Sequence, residues 1–157
     1  MEDSQYVALS RAMVPGMYRV AYSILENRQD AEDAVQQTLL NAWQHRQKAR
    51  AGAEKAWIMR ILINASYDLS RRRCRTVPAA EVELGGAPAP GIEQIGLRDA
   101  IQSLPDILRT PFLLKYMEGM SEKEIASALR IPVSSVKSRL YRARGALQKA
   151  LGEEGAQ

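Results

Sequence analysis

Residues Ser121 to Leu151 (SEKEIASALRIPVSSVKSRLYRARGALQKAL) constrain the fold more tightly than any other stretch. They admit a helix, a tight turn and a second, basic helix. Ser121 followed three residues later by Glu124 is a capping box, in which each side chain satisfies a free backbone N–H at a helix start. Ile125, Ala126 and Leu129 then share a short apolar face. The helix must stop between Arg130 and Val133, because Pro132 has no N–H to donate and pushes its predecessor out of the helical region. Ser134, a good N-cap type, restarts it, and Val136, Leu140 and Leu147 form the buried stripe of the second helix. Small Ala126 lets two helices cross closely, and Val136 stands ten residues on, as helix-turn-helix packing requires.

The second helix points to DNA. Between Arg130 and Gly152 there are six Lys or Arg residues and no Asp or Glu. Lys137, Ser138, Arg142 and Gln148 fall away from the apolar face, with Arg139 and Arg144 on its flanks. A helix of this width fits the major groove, where Arg or Lys bond guanine edges and other donors hold phosphates. A solvated basic face or a calmodulin-like amphipathic helix would carry the same charge. The capped preceding helix and the tight turn favour the DNA reading.

The 157 residues suit one domain or two small ones, and the net charge of +4 is unevenly placed. Residues 1–75 carry 12 basic and 8 acidic side chains, 76–100 carry 1 and 4, and 101–157 carry 9 and 6, so two basic modules flank an acidic middle. No apolar run approaches the ~20 residues that span a bilayer. The start, MEDSQYVALSRAM, has no secretory pattern, and the expectation is a cytoplasmic protein. Cys74 and His45 each stand alone, which excludes an intrachain disulfide, a Cys/His metal cluster and a Cys/His nucleophile pair. Without a phosphate-cradling glycine loop either, the expectation is no enzyme, no cofactor, no metal and no small-molecule substrate.

Thr76 to Gly96 (TVPAAEVELGGAPAPGIEQIG) holds three prolines, four glycines and no basic residue, and reads as a linker. Fully extended it would reach roughly 70 Å at about 3.3 Å per residue, about two turns of DNA. It separates a module over 1–75 from one over 97–157, and the fold class is all-α, two small helical modules on a flexible tether. In the first module Met17, Tyr18, Ala21, Tyr22 and Leu25 repeat at helical spacing. Asn27 to Asp30 breaks the run; Asp30 is a candidate cap for a helix whose first turn holds Glu32 and Asp33. After a loop from Gln47 to Glu54, a long helix over about 55–73 carries a core stripe of Trp57, Ile61, Ala65 and Leu69. Opposite it stand Arg60, Asn64, Tyr67 and Arg71, leading into Arg71-Arg72-Arg73-Cys74-Arg75.

Basic residues at a helix C-terminus are favoured by the dipole in any protein. Asn, Tyr and Arg on one face also suit single-stranded or distorted DNA, where Tyr stacks on a base and Arg holds backbone. Asp68 either pairs with Arg71 or Arg72 one turn away or accepts a hydrogen bond from a base. Trp43 and Trp57 sit on apolar stripes and read as core.

Three segments together, DAEDAVQQTLLNAWQHR, AWIMRILINASYDLSRRRCR and SLPDILRTPFLLKYMEGMSEKEIASALRIPVSSVKSRLYRARGAL, resemble regions 2 and 4 of bacterial sigma factors. The resemblance is to the small extracytoplasmic-function (ECF) group of the sigma-70 family, and it runs from about Tyr18 to Leu151. It implies a chain that brings core RNA polymerase to promoter DNA. Asp30, Glu32, Asp33 and Gln36 correspond to the acidic helix that docks on the β′ clamp helices. Arg60, Asn64, Tyr67, Asp68, Arg71, Arg72 and Arg73 correspond to the segment that recognises and opens the −10 element. Asn64 and Asp68 lie near the pocket for a flipped base. Ser134, Ser135, Lys137, Ser138, Arg139 and Arg142 correspond to the readers of the −35 element. The resemblance further implies contact with the β flap and inhibition by an anti-sigma factor.

Two positions depart from the family pattern. Arg130 stands where the turn usually has Gly, at a cost of ~1 kcal/mol if the left-handed conformation is kept. Pro111 falls inside a usually continuous helix; Thr110 as N-cap with Pro111 at the first helical position would accommodate it. The other functional class open to these residues is an autonomous helix-turn-helix regulator that binds palindromic sites as a dimer.

Overall fold

The computed structural model describes residues 1–76 and 95–155, and all regular structure among them is helical. The order is α1 (Asp3–Leu25), α2 (Arg28–Gln44), a 3-10 turn (Arg46–Lys48), α3 (Glu54–Thr76), α4 (Ile95–Ser103), α5 (Asp106–Tyr116), α6 (Glu122–Leu129) and α7 (Val133–Gly155). The chain forms two compact units. Most of the expected linker lies outside the described residues; Thr76 closes α3, and Ile95 and Gly96 open α4.

In the first unit α1, α2 and α3 each pack on the other two. Small residues on α2 make this possible: Ala31, Ala34 and Ala42 have no exposed surface and let their neighbours approach closely. Thr38 and Ser66 are equally buried, and each hydroxyl donates back one turn, to the Ala34 carbonyl at 2.7 Å and the Leu62 carbonyl at 2.8 Å.

α1 begins at Asp3, ahead of the Met17–Leu25 repeat, and runs through Pro15. The proline forfeits one helical hydrogen bond, but Tyr6 and Met13 in the preceding turns are buried, and that burial outweighs it. The cap of α2 is Asn27, not Asp30: its side chain accepts the Asp30 N–H at 2.8 Å, which puts Asp30 inside the first turn and Glu32 and Asp33 beyond it. In α3 the buried residues are Ala56, Ile58, Met59, Leu62, Ile63 and Ser66. Trp57, Ile61, Ala65 and Leu69 are only half-buried and flank that face.

In the second unit α4 and α5 both pack on α7. Ala100, Leu104, Ala143 and Leu147 form the buried cluster, flanked by Ile101, Leu108 and Phe112. α5 is continuous across Pro111 instead of restarting at Thr110. Its N-cap is Pro105, whose carbonyl accepts the N–H groups of Leu108 and Arg109 at 2.9 Å each. Thr110 and Pro111 are buried, so packing offsets the hydrogen bond that the imide cannot make. Under the α4–α5 turn, the buried guanidinium of Arg109 donates to the carbonyls of Leu104 (2.8 Å) and Gln102 (3.2 Å) and pairs with Asp106.

The capping box forms as the sequence predicts: Glu124 N–H donates to Ser121 Oγ at 3.1 Å, and Ser121 N–H to Glu124 Oε1 at 3.0 Å. Arg130 closes α6 at φ 57° and ψ 47°, the left-handed conformation, and Ile131 N–H reaches the Ala126 carbonyl at 3.1 Å. α7 then starts at Val133, two residues earlier than a cap at Ser134 would give. The Pro132 carbonyl accepts the N–H groups of Ser135 (3.0 Å) and Val136 (3.2 Å), so Ser134 is a first-turn residue rather than the cap.

Candidate nucleic-acid interface

The face of α7 away from the core is set by a buried stripe. Val136, Leu140, Ala143 and Leu147 are at most 6% exposed, and three- and four-residue spacing puts them on one side. The opposite side presents Ser134, Lys137, Ser138 and Arg142 to solvent, with Ser135 and Arg139 half-buried on the flanks. Tyr141 stands among them at 74% exposure. The spacing of the buried stripe alone turns it outward. Arg144, read as a flank residue, has its guanidinium 2.8 Å from the Tyr116 hydroxyl and is tied to α5.

On α3 the expected polar stripe is only partly open. Asn64, Asp68, Arg71 and Arg72 are exposed, whereas Arg60, Tyr67 and Arg73 are half-buried. Asp68 accepts from Arg71 one turn on, so the carboxylate has the intrahelical partner its spacing allowed. Arg73 reaches across to α2 and pairs with Asp30 at 2.7 Å. That contact joins a residue expected on DNA to one expected on polymerase.

On α2, Glu32, Asp33 and Gln36 are exposed and Asp30 is half-buried. The same side continues into Leu40, 59% exposed, and Trp43, 37% exposed. Trp43 is therefore not the core residue its stripe suggested. One part of the ring packs on Tyr6 at 5.3 Å between centroids, and the Arg46 guanidinium lies 3.8 Å from its centre. Arg46 in turn donates to Asp3 at 2.9 Å. Leu40 and Trp43 thus place apolar surface beside the acids of α2.

Among the described residues no three His, Cys, Asp or Glu side chains converge as metal ligands. None of the described helices is long and apolar enough to cross a membrane.

The first unit matches sigma-70 region 2 over residues 9–76, and the second matches sigma-70 region 4 over residues 95–147. The ECF RNA polymerase sigma factor SigE of Mycolicibacterium smegmatis is 32% identical over 160 residues, covering 95% of this chain and 62% of the relative. The chain thus spans less than two thirds of that relative's length. The RNA polymerase sigma-H factor of Pseudomonas aeruginosa is 32% identical over 146 residues, covering 81% of this chain and 76% of the relative. Among solved structures, the sigma factor RpoE of Bartonella quintana, in complex with the anti-sigma factor NepR, superposes with a TM-score of 0.74 at 28% identity. It covers 95% of this chain and 96% of its own. CnrH, solved with the cytosolic domain of CnrY, gives a TM-score of 0.71 at 25% identity, over 97% of this chain and 90% of its own. With both regions matched in order along most of its length, the chain belongs to the ECF group of the sigma-70 family of RNA polymerase sigma factors.

Proposed function

We propose that this chain binds core RNA polymerase in the cytoplasm and directs it to promoters by reading two separate elements. The second unit reads the −35 element: Lys137, Ser138, Tyr141 and Arg142 face the major groove, with Ser134, Ser135 and Arg139 at its edge. The first unit, over 1–75, takes the −10 element, where Asn64 and Asp68 meet a flipped base while Tyr67 stacks. Arg60, Arg71, Arg72 and Arg73 hold the backbone. Glu32, Asp33 and Gln36, extended by Leu40 and Trp43 and with Asp30 at the edge, dock on the β′ clamp helices. The second unit, over 97–157, also meets the β flap. Residues 76–96 tether the two. An anti-sigma factor is a further partner, as NepR is for the solved RpoE.

The observation that carries this reading is the pairing of an exposed basic reading face on α7 with an acidic and apolar face on α2, in a chain with both sigma-70 regions. The relatives are sigma factors, not enzymes, and this chain supplies recognition and strand opening while polymerase supplies catalysis. Matching of both regions leaves the autonomous dimeric regulator without support. Mixing purified chain with core RNA polymerase and a promoter library tests the proposal, the expected result being transcripts from defined start sites. The chain alone should bind duplex promoter DNA weakly, since few phosphate contacts per unit give modest affinity at physiological salt. Failure to associate with core polymerase, or a tight gel shift without it, would refute the reading.

A further inference from the structure

Arg73, near the end of α3, and Asp30, in the first turn of α2, are 43 residues apart in sequence and 2.7 Å apart in space. They close one side of an open cleft of about 330 Å³ lined also by Asn27, Gln29, Leu69 and Arg72. The helix dipole would reward an acid at position 30 in any protein. It does not call for an arginine from another helix. Neither side chain is sequestered, at 28% exposure for Asp30 and 41% for Arg73, so an anion from solvent can compete for the guanidinium. Guanidinium binds carboxylate and phosphate through the same fork of donors, which makes the two interchangeable partners.

We propose that Asp30 is a resident stand-in for a DNA phosphate: it occupies Arg73 in the free chain and yields it to a backbone phosphodiester of the opened strand, which then seats in the cleft beside Arg72. The carboxylate lowers the affinity of the unassembled chain for single-stranded nucleic acid by cancelling one backbone contact. This deepens the −10 reading above and rests on it. Asp30 thereby acts on DNA binding rather than mainly on polymerase docking.

The test is binding of the full chain to a labelled oligothymidine strand, followed by fluorescence anisotropy across a salt series. One added phosphate contact steepens the log–log salt dependence by about 0.7 on a single strand and strengthens binding roughly fivefold at about 0.1 M salt. Asp30→Asn should show both changes, with Asp30→Ser as a second variant in case the first is poorly folded. Arg73→Gln removes the contact that Asp30 yields, so it should weaken binding on its own and should abolish the gain when combined with Asp30→Asn. Arg72→Gln reports on the parent reading by flattening the salt dependence in the unaltered chain. If Arg72→Gln flattens it but neither Asp30 variant changes affinity or slope, the stand-in role is wrong and the DNA face survives. If Arg72→Gln also has no effect, both fall. A gain in Asp30→Asn that persists in the double variant would likewise overturn the exchange with Arg73.

Discussion

Arg109 is folded beneath the turn between α4 and α5 with its Nη1 2.8 Å from the carbonyl oxygen of Leu104, a contact made in the interior of the second unit. A charge-assisted bond to a buried carbonyl is stronger than a neutral one, and removing the donor strands the acceptor. Arg109→Ala should therefore destabilise the chain by about 2–3 kcal/mol, measured by urea unfolding. Asp106, half exposed at the other end of the pair, should matter less: Asp106→Asn is expected to cost under about 1 kcal/mol. Equal losses in the two variants would show that the ion pair, not the carbonyl contact, holds the turn.

Arg130 occupies the left-handed region at φ 57°. A Cβ is disfavoured there and glycine is not. Arg130→Gly should raise stability by roughly 0.5–1 kcal/mol, read as a higher urea midpoint at unchanged slope. Arg130→Val should lower it, because a β-branched side chain fits that region worst.

The Tyr6 hydroxyl donates to the Leu39 carbonyl at 2.5 Å, and burial holds its pKa above the ordinary 10.0. The unfolded chain therefore releases this proton at lower pH than the folded one. The stability from keeping it bound is complete below about pH 10 and is lost as pH rises through the folded value. Wild type should lose stability more steeply than Tyr6→Phe as pH is raised beyond that point. Near neutrality Tyr6→Phe should be weaker by about 1 kcal/mol for the lost hydrogen bond. Parallel curves for the two proteins would disprove the assignment.

Lys137→Ala and Arg142→Ala should each reduce initiation by polymerase carrying this chain. A residue that contacts a base should cost about 1–3 kcal/mol, tenfold or more, and relax preference at one base pair of the −35 element. A residue that contacts phosphate should weaken all templates alike. Tyr141→Ala should fall between them, with its loss concentrated on templates that place a thymine methyl opposite the ring. Unchanged initiation in both the Lys137 and Arg142 variants would mean that a different face of α7 meets DNA.

Local chemistry was read well from sequence wherever one or two residues decide the geometry. The Ser121–Glu124 box, the break at Pro132 and the strained turn at Arg130 each follow from short-range sterics and hydrogen bonding. Errors arose where tertiary packing outweighs a local preference. Pro111 reads as the first residue of a helix capped by Thr110, yet α5 continues through it because the surrounding turns bury Thr110 and Leu114. In α3 the Trp57, Ile61, Ala65 and Leu69 stripe is only half-buried, and Ile58, Met59, Leu62 and Ile63 fill the core beside small Ala56 and Ser66. The candidate site residues come from type, spacing and resemblance, and none of these reveals their partners. Nothing in a linear sequence announces that Arg73 will meet Asp30, and Tyr141, Leu40 and Trp43 became visible as surface only once burial was known.

α7 is one unbroken rod of 23 residues whose leading turns carry Lys137, Ser138 and Arg142 and whose later turns anchor Ala143 and Leu147 in the core. The end proposed to probe bases therefore has no hinge of its own. Its orientation is set when the unit folds, and little ordering entropy remains to be lost on docking. Such a reader tolerates poorly any sequence that asks it to tilt, so changes in promoter choice must come from replaced side chains on a fixed axis, or from DNA that deforms to meet it.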